Sequence, residues 1–155
     1  MRNLSIILLN LWSTAVIAAV PLVAVDVGHG LKDGGAISAR GRAEFEFNRD
    51  FAGVLAETLS QRDLAVLPVN FDGQIASLAA RPAAANGSDF FISIHHDSIG
   101  EAYLLPWEWA GQALTYTEVK RGFGLFVSAA NPDPETSLRC ASAMGAMLRR
   151  AGFVD

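Results

Sequence analysis

All three histidines of this chain follow runs built for burial in a sheet. Leu22-Val23-Ala24-Val25-Asp26-Val27 leads into Gly28-His29-Gly30, and Phe90-Phe91-Ile92-Ser93-Ile94 leads into His95-His96-Asp97. One histidine at one strand end reads most simply as a cap on a loop. Two strands ending alike say more. In a parallel sheet both carboxyl ends lie on one rim, where α/β folds bind their ligands, so His29 and His95 can come within ligand distance. Two neutral imidazoles suit a borderline cation such as zinc, and a carboxylate would complete a His₂Glu set with an open fourth position.

The segment after the first strand offers Glu44 and Glu46. Helical spacing places Glu44 with Phe47, Asn48 and Phe51, on the stripe expected to pack against the sheet. Glu46 shares its side with Asp50, Gly53 and Glu57, the solvated face. Glu44 is therefore the expected ligand, since burying a carboxylate unpaired is costly and a cation removes that cost. Glu46 is expected to be a surface charge near a helix N-terminus. Alternation separates His95 from His96 in the same way, with less force because the strand is ending there, and leaves His96 either to line the cleft or to be an ordinary loop residue.

The elements that must position these residues follow from periodicity. Leu22 to Val27 reads as a strand, and a Gly-rich polar loop runs from Lys32-Asp33-Gly34-Gly35 to Gly41. A helix is expected from about Ala43 to Ser60, with Phe47, Phe51, Val54, Leu55 and Leu59 at helical spacing. Leu64 to Val69 reads as a second strand, and Pro68 puts it at an edge or ends it early. Ser77 to Asn86 reads as helical, with Pro82 in its first turn or kinking it. Asp89 to Ile94 reads as an inner strand. Ser98 to Lys120 carries Tyr103, Trp107, Trp109 and Tyr116 without a clean period and reads as an irregular excursion. Phe123 to Ser128 is strand-like. Asp133 can cap a last helix with Pro134 at its first position, Leu138, Ala141, Met144 and Leu148 as its buried stripe, and Arg149, Arg150 and Gly152 at its end. Strands and helices alternate, so the expected fold is a single α/β domain with a mostly parallel sheet flanked by helices.

A chain of 155 residues with 51% hydrophobic content is enough for one domain with its own core. The formal net charge of -4 provides no basic stripe for phosphates, so nucleic acid is not expected as a partner. Cys140 is the single cysteine, which excludes an internal disulfide, a CxxC pair and a cysteine-built metal site. Arg2 precedes an apolar run from Leu4 to Val20, closed by Ala15, Ala18 and Ala19 before Pro21. That order describes a secretory signal peptide over residues 1–19, with cleavage near Ala18 or Ala19. Residues 20–155 would then work in the periplasm or outside the cell, with no membrane contact after signal removal. An uncleaved anchor is the alternative.

On several blocks the sequence resembles the zinc-dependent N-acetylmuramoyl-L-alanine amidases, known as amidase type 3. These are Val25-Asp26-Val27-Gly28-His29-Gly30, Asp33-Gly34-Gly35-Ala36, Glu44 with Asn48, Ser77-Leu78 with Arg81 and Ala85-Asn86, and Ser93-Ile94-His95. The resemblance implies zinc held by His29, Glu44 and His95. It also implies peptidoglycan as substrate, cut at the amide between N-acetylmuramic acid and the L-alanine of the stem peptide. Two departures stand out. Pro68-Val69 replaces the Thr-Arg usual after the second strand. The family's general-base glutamate belongs to a later strand, in a Glu-x-Gly-Phe-like segment, whereas this sequence ends at Gly152-Phe153-Val154-Asp155. Residues 20–155 are thus expected to be the N-terminal part of the catalytic domain. Glu101, Glu108 and Glu118 lie in another context, so no catalytic base is assigned. An amidase-like protein that keeps zinc and binds cell wall without cleaving it is the second reading.

Overall fold

The computed structural model describes residues 19–119 and 121–155. The expected signal peptide lies, apart from its last residue, outside the described residues. Three parallel strands form the main sheet: β1 (Leu22–Val27), β2 (Ala65–Val69) and β3 (Phe90–Ile94), in the order β2-β1-β3. β1 is central and close to fully buried, with Ala24, Val25 and Val27 at 0% exposure. Among the described residues β2 is an edge strand, one of the two outcomes Pro68 allowed; Pro68 pairs in register with Val25 yet has no N–H for the ladder. β3 is the other edge among the described residues, not an inner strand. Phe90, Ile92 and Ile94 face the α1 core and are partly buried or buried, whereas Phe91 and Ser93 on the opposite face are exposed.

Alternation along β1 sends Val23, Val25 and Val27 to one face and Ala24 and Asp26 to the other. Helix α1 (Glu44–Ser60) covers the first face, where Phe45, Ala52 and Ile94 join those valines, with Leu55 and Leu59 packed against them. The buried side of α1 is thus Glu44, Phe45, Asn48 and Ala52. Phe51 and Val54, expected on that stripe, are instead 55% and 66% exposed. The helix is rotated toward Phe45, which fills the space beneath the loop at Gly73. The second face carries a smaller cluster of Ala24, Val69 and Ala85, beside the short helix α2 (Ala80–Ala84). Helix forms over only this part of the expected stretch from Ser77 to Asn86.

Beyond β3 the chain differs more from expectation. The supposed irregular excursion contains a 3₁₀ turn (Glu101–Tyr103) and an antiparallel hairpin of β4 (Leu105–Trp109) and β5 (Gln112–Tyr116). Ala110 and Gly111 turn it, both at positive φ (50° and 75°), as the twist of a two-residue hairpin demands. Residues 123–128 lie in no strand, having found no ladder partner among the described residues. Helix α3 (Pro134–Arg150) begins as expected, with Asp133 accepting from the Thr136 N–H at 3.0 Å. Its expected buried stripe is not sealed. Gly145 alone is buried and Leu138 is 60% exposed, because α3 rests on the segment around Leu125 and not on the sheet. Among the described residues no helix is long and apolar enough to cross a membrane.

Candidate metal centre

Parallel pairing of β1 with β3 brings the first and last ligand candidates together. Val27 sits in register with Ile94, and the Gly28 N–H donates to Ile94 O at 2.9 Å just past the ladder. His29 and His95 follow at once, with ring centroids 5.2 Å apart and planes at 72°. Gly28 is needed for this approach. A Cβ there would lie 2.5 Å from the His95 ring and 2.5 Å from Ile94 O.

Glu44 opens α1 directly beneath the two imidazoles and is 5% exposed. Its Oε2 lies 3.3 Å from His29 Nε2, and its Oε1 lies 3.2 Å from His95 Nδ1. One donor atom from each of His29, Glu44 and His95 can be chosen so that all lie within 4.8 Å of one another. The expected trio therefore converges in space. Glu46, as the periodicity required, lies on the outer face and pairs with Arg42 at 3.0 Å.

The carboxylate is held by a shell of donors. Its Oε2 accepts from the Ala36 N–H at 3.2 Å, and its Oε1 accepts from the His96 N–H at 3.0 Å and from Asn48 Nδ2 at 3.3 Å. Burial pushes the Glu44 carboxyl up. The Ala36 N–H, the Asn48 amide, the His96 N–H and the charge of His29 outweigh it, and the group ends below the usual glutamate range. Gly35, at φ 75°, completes the cradle, since a Cβ there would meet Glu44 Oε2 and His29 Cδ2 at 2.7 Å.

His96 does not join the trio. Its ring Nδ1 lies 2.6 Å from Asn48 Oδ1, and its ring packs against Phe47 at 5.7 Å. Asn48 therefore spends its amide three ways: on Glu44, on His96 and on Gly28 O at 3.1 Å. A cleft of about 290 Å³ opens beside Glu44, bordered by Ser38, Arg42, Phe47, His96 and Asp97. Glu101, Glu108 and Glu118 are all exposed and stand outside the trio.

On the underside of the site, sequence reasoning singled out Asp26, Arg81 and Ser93 within the resembling blocks without a role for them, and it missed Asn70. His29 has φ 61°, a left-handed conformation that costs a residue with a Cβ roughly 1–2 kcal/mol. Its carbonyl accepts from Asn70 Nδ2 at 2.6 Å and from Arg81 Nη2. Arg81 lies 3.5 Å from buried Asp26, which also accepts from the Ser93 hydroxyl at 2.5 Å. Asn70 follows the end of β2 and is itself left-handed at φ 57°, a conformation that asparagine tolerates. That tolerance was the one sequence signal available for it.

The donor set fits a small borderline cation: two imidazole nitrogens and one buried carboxylate oxygen, with His95 48% exposed on the open side. An α/β domain with such a set on its sheet rim carries a candidate metal centre. Residues 23–154 match the family described as N-acetylmuramoyl-L-alanine amidase, and the chain belongs to that family. Among solved structures it is similar to N-acetylmuramoyl-L-alanine amidase from Clostridium difficile 630, at 32% identity and a TM-score of 0.51 over 57% of this chain and 50% of that one. It is also similar to the catalytic domain of an N-acetylmuramoyl-L-alanine amidase from Bacillus (Paenibacillus) polymyxa var. colistinus, at 34% identity and TM-score 0.48, covering 53% of this chain and 48% of that one. An N-acetylmuramoyl-L-alanine amidase of Nostoc punctiforme matches at 28% identity and TM-score 0.48, over 52% of this chain and 46% of that one. The chain thus spans about half the length of these solved relatives. No curated protein matches it.

Proposed function

We propose that this chain carries the zinc centre of a peptidoglycan amidase, acting on the amide between N-acetylmuramic acid and the L-alanine of the stem peptide. The observation that carries the reading is the convergence of His29, Glu44 and His95 within 4.8 Å, on an α/β rim of the matching family. Zinc held by these three side chains supplies Lewis-acid polarisation of an amide carbonyl and a lowered water pKa. The chain's own residues provide the rest. Glu44 brings a charge that stays ionised at neutral pH, Asn48 and the Ala36 and His96 N–H groups hold its two oxygens, and Phe47 and Arg42 wall the adjacent cleft. Full-length protein incubated with purified peptidoglycan should release stem peptides bearing free L-alanine amino ends, and His95→Ala should release none. Release of new reducing sugar ends instead, with intact amides, would contradict the reading.

The substrate class fits work outside the cytoplasmic membrane, and we propose export with cleavage near Ala18 or Ala19. Mass spectrometry of the exported protein should find a new N-terminus near Val20 or Pro21. Recovery of intact Met1 from the membrane fraction would favour the anchor instead.

A further inference from the structure

Three consecutive carbonyls at the end of β1 are each held by a side chain from elsewhere in the fold. Gly28 O accepts from Asn48 Nδ2 at 3.1 Å. Val27 O accepts from Asn70 Nδ2 at 2.7 Å and from Arg81 Nη1 at 2.7 Å. His29 O accepts from the same two residues, Asn70 Nδ2 at 2.6 Å and Arg81 Nη2. The peptide planes on both sides of His29 are therefore fixed, and the rotation between them is the left-handed φ of 61°. That angle sets the direction of the His29 Cα–Cβ bond, and so whether Nε2 faces Glu44.

Neither clamping residue is free to wander. Asn70 and Arg81 are 4% and 6% exposed. Asn70 Oδ1 accepts from the Ile75 N–H at 2.8 Å, which fixes the direction of its amide nitrogen. Arg81 is anchored by Asp26 on one side and reaches Ile75 O at 3.3 Å on the other. Nη1 takes Val27 O while Nη2 takes His29 O, a paired geometry that a planar fork supplies and a single ammonium does not.

We infer that Arg81 and Asn70 are positioning residues of the metal centre: their paired donors to Val27 O and His29 O hold His29 left-handed and aim its Nε2 at Glu44. The inference rests on the zinc reading of His29, and its test separates the two. Arg81→Lys keeps the charge beside Asp26 and removes the fork. Asn70→Gly keeps the left-handed backbone at residue 70 and removes the amide. Leu59→Ala, in the last turn of α1 and packed on the core, serves as a variant destabilised away from the site.

Zinc affinity of the full chain would be measured by competition with a chromophoric chelator, beside the thermal midpoint in EDTA and a crystal structure of each metal-free variant. Both clamp variants should bind zinc about 10–100-fold more weakly, the range for groups that orient ligands. Leu59→Ala should lower the midpoint with zinc affinity unchanged, and His29 should leave positive φ in at least Arg81→Lys. Unchanged zinc affinity in both clamp variants overturns the inference. Should Arg81→Lys fail to fold, Asn70→Gly carries the same comparison. Absence of zinc binding by the wild type defeats the zinc reading itself. The clamp is then judged on the metal-free structures, where His29 keeping its φ near 61° in both variants overturns it.

Discussion

Glu44 is a carboxylate that stays charged although it is 5% exposed. Burial opposes its ionisation, but the Ala36 N–H, Asn48, the His96 N–H and His29 together hold its carboxyl below the usual glutamate range. The sign of the linkage follows. A group whose folded pKa is depressed contributes stability that is complete above its unfolded value and is lost as pH falls through the lower folded value. In metal-free protein, Glu44→Gln should therefore flatten the acid limb of the stability profile, followed by thermal melts from neutral pH down through the carboxylate range. An acid limb as steep as that of the wild type would show that Glu44 carries no such linkage. The choice of Glu44 over Glu46 was legible in the sequence, because four charged or small residues at helical spacing marked the outer face. The choice of His95 over His96 was less legible, because alternation loses force where the strand ends. It depends on Asn48 Oδ1 engaging the His96 ring at 2.6 Å, a contact between residues far apart in sequence.

At the scale of elements, the site is a product of two strand ends and one helix start. Gly28 lies where β1 and β3 run out together, and its missing side chain leaves room for the His95 ring. Gly28→Ala would set a Cβ 2.5 Å from both that ring and the Ile94 carbonyl, and the carbonyl belongs to backbone that cannot swing away. Overpacking of this kind typically costs about 1–3 kcal/mol. The expected result is a lower thermal midpoint together with weaker zinc binding, read by melting and chelator competition. A variant with wild-type zinc affinity would mean that the two strand ends do not need this close approach. β1, α1 and β3 were readable because apolar runs of strand length and a long helical period have few other solutions. The hairpin was not. Ala110-Gly111 lacks the Asn-Gly or Asp-Gly signature, and Pro106, which has no N–H for a ladder, argues locally against a strand from Leu105 to Trp109. The α3 stripe was misjudged for a different reason. An amphipathic pattern shows which side prefers burial, but the partner that buries it is set by tertiary packing.

For the whole molecule, the sheet has the α1 core on one face and the Asp26–Arg81 pair on the other, so the rim between them is supported from both sides. Apolar burial on the α1 face places Glu44, and the polar network on the α2 face places His29. The central claim is that these two sides meet in one zinc site built from His29, Glu44 and His95. Its most direct test is the zinc content of purified full-length protein by elemental analysis, for the wild type, His29→Ala, His95→Ala and Glu46→Gln. The wild type and Glu46→Gln should each carry close to one zinc per chain, and the two histidine variants should carry almost none while remaining folded. Full zinc retention in both histidine variants, or no zinc in the wild type, would contradict the account.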